Sequence, residues 1–346
     1  MRGHTGRAYI GSFTAAGGPG IATASVDPAT GALTLLGTTG AVADPSYLAL
    51  SADGTTLYAV SETDEGAVAA FRVTGARPEP LGTPVRVGGA GPTHLAVHAG
   101  HVLTANYGSG SVSAVPLRAD GSLGDAPSGV LTHKGSGPHP QRQHAPHAHQ
   151  VLAVPGGRRA VSVDLGTDSV RVFELDTAGE PVQHREIALR PGSGPRHLAF
   201  HPGGTVVYVL NELAPTLTVC RWEAVEGALR PLAEIPVLPG APEGDAYPSE
   251  VVVAPDGRFV WTATRGEDVI SVFAAGDGGE RLELVATVPC GGHWPRDLAL
   301  DPSGRRLYAA NERSGDITWF DVDGATGLPV RAGSLEFPAV SCVRFF

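Results

Sequence analysis

The chain has 346 residues, 42% of them hydrophobic and only 17% charged, with 47 glycines; it can bury a large core and reverse direction many times, which excludes a disordered polymer. A formal charge of −10 with no block of Lys and Arg excludes nucleic acid as an expected partner, because such binding draws on clustered cations. No run of about 18 apolar residues could cross a membrane, and Met1 to Arg7 is too short and polar for a signal peptide, so the expected compartment is the cytoplasm.

In chain order, the first expected strand is Ala8-Tyr9-Ile10-Gly11-Ser12-Phe13. From there one phrase returns seven times: a proline, a short polar step, an apolar run, a Gly-centred turn and a second apolar run. Aligned on the residue opening the first run, the copies begin at Ser46, Thr93, His149, Arg196, Ser249, Arg296 and Ala339, at spacings of 47, 56, 47, 53, 47 and 43. That period fits a blade of four short strands. The fullest copy runs from Pro195 to Trp222, and a more variable fourth run follows, such as Leu229 to Leu238. Turns at Ala52-Asp53-Gly54, Pro155-Gly156-Gly157, Pro255-Asp256-Gly257 and Pro302-Ser303-Gly304 carry hairpin chemistry.

The ends of the chain predict how the array closes. Ala339 to Phe345 supplies a first strand with no chain left to complete its blade, whereas residues 8 to 13 align with second strands such as Leu57 to Glu62. The expected fold is therefore all-β: one seven-bladed β-propeller domain spanning residues 1–346. The C-terminal strand is innermost in a seventh blade completed by residues 8 to 38, which removes the exposed edge of an open array.

Strand polarity then predicts a site. The start of each first strand and the end of each second strand share one rim. His149, Arg196 and Arg296 open first strands, and Glu212, Arg265 and Glu312 end second strands, so six ionisable side chains surround one channel mouth. A charged strand end is ordinarily solvated; concentration at one mouth favours acid/base work on an anionic substrate. Arginine suits carboxylate or phosphate recognition and oxyanion stabilisation. His149 and Glu212 are the candidate proton carriers. Arg296 and Glu312 read equally as a substrate clamp or a structural salt bridge.

Other chemistries lack support. Histidines at i and i+2, His147 and His149, could share an ion, but the surrounding Pro and Gln and the missing carboxylate weigh against it, and no metal or cofactor is expected. Cys220, Cys290 and Cys342 are an odd set without CxxC pairing and read as buried free thiols. Lys134, the only lysine, lies in a Gly, Pro and His-rich segment that offers no desolvation for Schiff-base chemistry. There is no GxSxG elbow, Walker loop or GxGxxG after a strand.

Pro146-His147-Ala148-His149-Gln150-Val151 leading to Val163–Asp168, Gly194-Pro195-Arg196-His197 leading to Asn211-Glu212-Leu213, and Ser249-Glu250-Val251 leading to Thr264-Arg265-Gly266 resemble the lactonase family of seven-bladed propellers. That family includes cycloisomerase-type 6-phosphogluconolactonase and the fungal 3-carboxymuconate lactonizing enzyme. The resemblance runs end to end and implies a metal-independent site in which the family's His, first Arg, Glu and second Arg fall on His149, Arg196, Glu212 and Arg265. His94, His147, His197, Glu250, Arg296 and Glu312 are the further candidate substrate-binding residues. The chain departs from the family pattern at Thr264, where Asn is usual, and at Asp297, where His is commoner.

The expected function is a lactone hydrolase, 6-phosphogluconolactonase-like, opening a sugar-acid lactone with water. The alternatives are a lactonizing cyclase acting on an unsaturated carboxylic acid or secondary metabolite, and a non-catalytic propeller binding a small acid or a protein. The expected partner is a small anionic substrate, with no nucleic acid or membrane, and the expected assembly is a monomer or weak homo-oligomer.

Overall fold

The computed structural model describes residues 6–242 and 244–346; Met1 to Thr5, most of the segment weighed above as a leader, lies outside the described residues. Seven four-stranded antiparallel blades form a ring. Blade four is typical, with strands Pro195–Phe200, Val206–Asn211, Thr216–Glu223 and Ala228–Pro236 running from the axis outward. Every residue of its second strand is buried, because both faces pack against neighbouring blades. The outer strand of blade three, Pro181–Ala188, is mostly exposed. Apolar residues therefore run continuously inside and alternate with polar ones outside. The core lies between blades: Val161, Val163 and Val172 of blade three pack against Leu198, Val207 and Val209 of blade four.

The closure expected from the chain ends is present. Val340–Phe345 is innermost in blade seven and pairs with Gly6–Ser12, followed by Ile21–Val26 and Leu33–Thr39. Blade one departs from regularity because its outer strand is split into Glu79–Pro80 and Val85–Arg86, both paired to Ala67–Arg72. Gly82, at φ 86, and Pro84, which has no N–H to donate, lie in the break.

Adjacent blades are hooked together at one register. Tyr58, Tyr208 and Tyr308 donate their hydroxyls, and Trp261 its indole N–H, to the carbonyls of Gly121, Gly279, Gly31 and Gly327 in the outer turn of the following blade, at 2.8 to 2.9 Å. All four glycines have positive φ. A buried aromatic ring thus satisfies its polar tip while packing.

One detail of register governs everything at the rim. In five blades the first strand carries a β-bulge where it begins: Thr93, His149, Arg196, Ser249 and Arg296 are the extra, unpaired residues. In blade seven the bulge falls on Ser341. This corrects the expected alignment, in which Ala339 was the seventh copy: the proline phrase there stands two residues further from the strand.

Candidate active site

The bulges turn their side chains to the axis, where they reach the next blade. Thr93 Oγ1 donates to the His149 carbonyl at 3.1 Å, Arg196 Nη1 to the Ser249 carbonyl, and Ser249 Oγ to the Pro295 carbonyl at 2.5 Å. The ends of the second strands share that rim, since the Glu212 amide donates to Gly194 and the Glu312 amide to Trp294, and Arg265 faces Tyr247 across the ladder. All six ionisable residues expected at the mouth are there. Four of them are buried rather than solvated, His149, Arg196, Glu212 and Arg265 exposing 6%, 2%, 3% and 7% of their surface, while Arg296 and Glu312 are partly buried.

Glu212 is the hub. Its Oε1 accepts from Arg142 Nη2 at 2.6 Å, while its Oε2 lies 3.1 Å from Arg196 Nε and 2.8 Å from Arg265 Nη2. The Arg265 contact is at hydrogen-bond distance, whereas the Arg196 Nε contact is an ion pair without hydrogen-bond alignment, so Arg196 Nε remains a buried donor with no acceptor in line. Burial opposes ionisation of Glu212, but Arg265, Arg196 and Arg142 outweigh it and bring its pKa down to about 2. Burial, reinforced by Arg265, lowers Arg196 to about 9 against the pull of Glu212.

His149 stands beside this cage with Nδ1 buried and unpartnered. Desolvation first, then the charge of Arg196, holds its pKa well below 6.5, which keeps the imidazole neutral at pH 7. A second cage surrounds Arg296, which pairs with Glu312 at 3.2 Å and with Glu62 at 3.7 Å and lies over the Phe13 ring.

Loop carboxylates hold these groups in place. Asp164 accepts from the His147 and Thr167 amides. Asp168 accepts from the Gly192 and Gly194 amides that lead into Arg196, and from Gln143 beside Arg142. Asp268 accepts from the Trp294 amide, two residues before Arg296. Asp168 and Asp268 both adopt positive φ, which Asp tolerates in such turns. Trp294 is itself at φ 66, an uncommon conformation for so large a side chain.

His147 belongs to the mouth, stacked on Tyr107 at 4.5 Å with Nδ1 on the Tyr107 carbonyl. His94, His197 and Glu250 do not: they lie deeper, inside the channel, where His197 Nδ1 meets Glu250 Oε1 at 2.9 Å. Glu62 and Arg142 were not singled out from the sequence, although Glu62 ends a second strand as Glu212 and Glu312 do. Phe13 and Tyr107 join Tyr247 and Trp294 as aromatic residues around the arginines. Among the described residues no three His, Cys, Asp or Glu side chains are grouped to hold a metal ion, and no helix is long and apolar enough to span a membrane. All three cysteines are free and buried.

The arrangement combines a neutral imidazole, buried guanidinium donors and a fixed carboxylate. It can take a proton from water and hold an oxyanion. The family model described as "Lactonase, 7-bladed beta-propeller" matches residues 7–345. A 6-phosphogluconolactonase of Bacillus subtilis is 33% identical over 342 residues, covering 97% of each chain. The periplasmic gluconolactonase of Pseudomonas aeruginosa has a similar structure, with a TM-score of 0.92 at 29% identity over 98% of each chain. A Lactobacillus plantarum protein of solved structure gives 0.92 at 30% identity over 99% of each chain.

Proposed function

From the premise that this chain belongs to the lactonase family of seven-bladed β-propellers, we propose that it hydrolyses the ring ester of an aldonolactone, with 6-phosphogluconolactone as the leading substrate. The observation that carries this reading is the pair of buried guanidinium donors, Arg196 and Arg265, that Glu212 holds in position beside the neutral imidazole of His149.

In this reading the lactone carbonyl oxygen sits on those two donors, which strengthen their hold as negative charge develops there. His149 takes a proton from the attacking water through Nδ1 and returns it to the ring oxygen as the ester bond breaks. Glu212, held ionised by three guanidinium groups, is a poor proton acceptor and serves to orient the arginines. His147, Arg296 and Glu312 lie where the polyol or phosphate end of a substrate would extend. The chemistry rests on side chains alone and is metal-independent.

The test is hydrolysis of freshly generated 6-phosphogluconolactone and of gluconolactone against their spontaneous opening, with and without a chelator. Turnover of about 1–10³ s⁻¹, unaffected by chelation and lost in His149→Gln, supports the reading. Background rates on both lactones would overturn it.

A further inference from the structure

Beneath the mouth a second tier of side chains converges on the axis. Tyr47 of blade one and His94 of blade two each lie edge-on to His197 of blade four, with ring centroids 6.4 and 5.4 Å apart. These blades are not neighbours, so the contacts cross the channel. His149 at the mouth approaches the same His197 ring, centroid to centroid 5.1 Å.

From His197 a continuous polar path leads away from the mouth. Glu250 Oε1 accepts the Val251 amide at 2.9 Å and, as a carboxylate, the Nδ1 hydrogen of His197 at 2.9 Å. Glu250 also lies against Asp297. Asp297 Oδ2 accepts Arg344 Nη1 at 2.8 Å. Burial first, and then Glu250 against the opposing charge of Arg344, raises Asp297 to about 6, near the range in which a carboxyl can load and release a proton at neutral pH.

The path ends in the open. Tyr47, Glu250 and Arg344 line a cavity of about 460 Å³ together with Ala199, Ala299 and Pro302. Pro302 belongs to the turn between the first two strands of blade six, on the rim opposite the mouth. Along this route four buried nitrogens, both of His94, Nδ1 of His149 and Nε2 of His197, have no protein partner. Leaving each unpaired costs about 1–3 kcal/mol, whereas water bridging them satisfies all four.

The reaction proposed above creates a need for such a path. A bond forms from the water oxygen to the carbonyl carbon and the ring C–O bond breaks. One water proton goes to the ring oxygen, and the second ionises from the new carboxylic acid. His149 is almost fully buried even without substrate, and a lactone seated on Arg196 and Arg265 would cover it from the mouth side. We propose that the axial channel is a proton exit, in which the proton that ionises from the new carboxylic acid is taken up by His149, passes by water to His197 and leaves through Glu250 and Asp297 to solvent at the opposite rim.

This proposal rests on the lactonase reading, and two measurements keep the two separable. The first needs no turnover. In protein labelled with ¹⁵N-histidine, the His197 Nδ1–H exchanges with solvent through the lower cavity, and Ala199→Leu, which narrows that cavity far from the mouth, slows the exchange about 10-fold if opening to solvent is its limiting step. Unchanged exchange in Ala199→Leu, with its fold verified by circular dichroism, overturns the conduit. The second uses activity once wild-type turnover is established. Glu250→Gln and Asp297→Asn each lower kcat about 10²-fold in weak buffer with KM within twofold, and imidazole restores the rate. A deficit that imidazole leaves in place, or no deficit, overturns the relay and leaves the lactonase reading standing. Absence of wild-type turnover alongside slowed exchange in Ala199→Leu would sink the lactonase reading and leave the channel in place.

Discussion

Arg265 Nη2 lies 2.8 Å from Glu212 Oε2, and the carboxylate fixes the guanidinium by charge. Arg196 approaches the same oxygen at 3.1 Å through Nε, a buried donor with no acceptor in line. In the proposed reaction Arg265 is one of the two donors to the lactone carbonyl oxygen.

Removing that donor has a defined consequence. Arg265→Lys keeps the positive charge and loses the planar fork, so kcat on the lactone substrate falls about 10²–10³-fold, the usual effect of deleting one oxyanion donor. Steady-state kinetics with a thermal melt checks it; a rate within threefold of wild type would remove Arg265 from the site.

Glu212→Gln acts differently, because it leaves three guanidinium groups in a buried cage without their counter-charge. Breaking a buried pair in this way costs about 3–5 kcal/mol, so the melting temperature drops. The uncompensated cage also binds anions, and inhibition by gluconate tightens about 10-fold, as one lost countercharge warrants. Inhibition constants from initial rates decide this, and unchanged gluconate inhibition would show that the cage does not face substrate.

Stability should depend on pH through the channel histidines. Burial, and then the charges of His197 and Arg344, hold His94 well below the ordinary imidazole value of 6.5. Its contribution is full above pH 6.5 and is lost as the pH falls toward the depressed folded value, because only the unfolded chain takes up the proton. Asp297, raised from 3.8 to about 6, has the opposite sign: its contribution is full below 3.8 and is lost as the pH rises through 6. Replacing His94 by Gln isolates the first effect. Between about pH 7 and pH 6 the variant should lose less stability than wild type, by about 0.7 kcal/mol, as read from denaturant midpoints at each pH.

The blade hooks make a prediction about the fold alone. Tyr208→Phe removes the fully buried bond to the Gly279 carbonyl and leaves that oxygen unsatisfied. Stability falls by about 1–3 kcal/mol while kcat and KM stay at wild-type values, since the hook lies on the opposite half of the blade from the mouth. A chemical denaturation curve beside a rate measurement tests both halves of the statement.

Much of this was legible in the sequence, for local reasons. The repeating proline phrase, the Gly-centred turns and the apolar runs are set by backbone conformation and burial within a few residues; they yielded the blades, the closure by the C-terminal strand and the six ionisable residues at one rim. The seventh register, assigned to Ala339 instead of Ser341, was missed because the proline phrase that marks the copy stands two residues further from the strand there. What only the tertiary structure decided is which of these groups meet. Arg142 reaches Glu212 across 70 residues of chain, and Tyr47 faces His197 across the axis from blade one to blade four. The radius of the closed ring sets those distances. Because ring closure also removes water from the mouth, residues that read as solvated strand ends became a buried cage with displaced pKa values. Side-chain identity follows from the chain, whereas the field that each side chain feels is a property of the assembled ring.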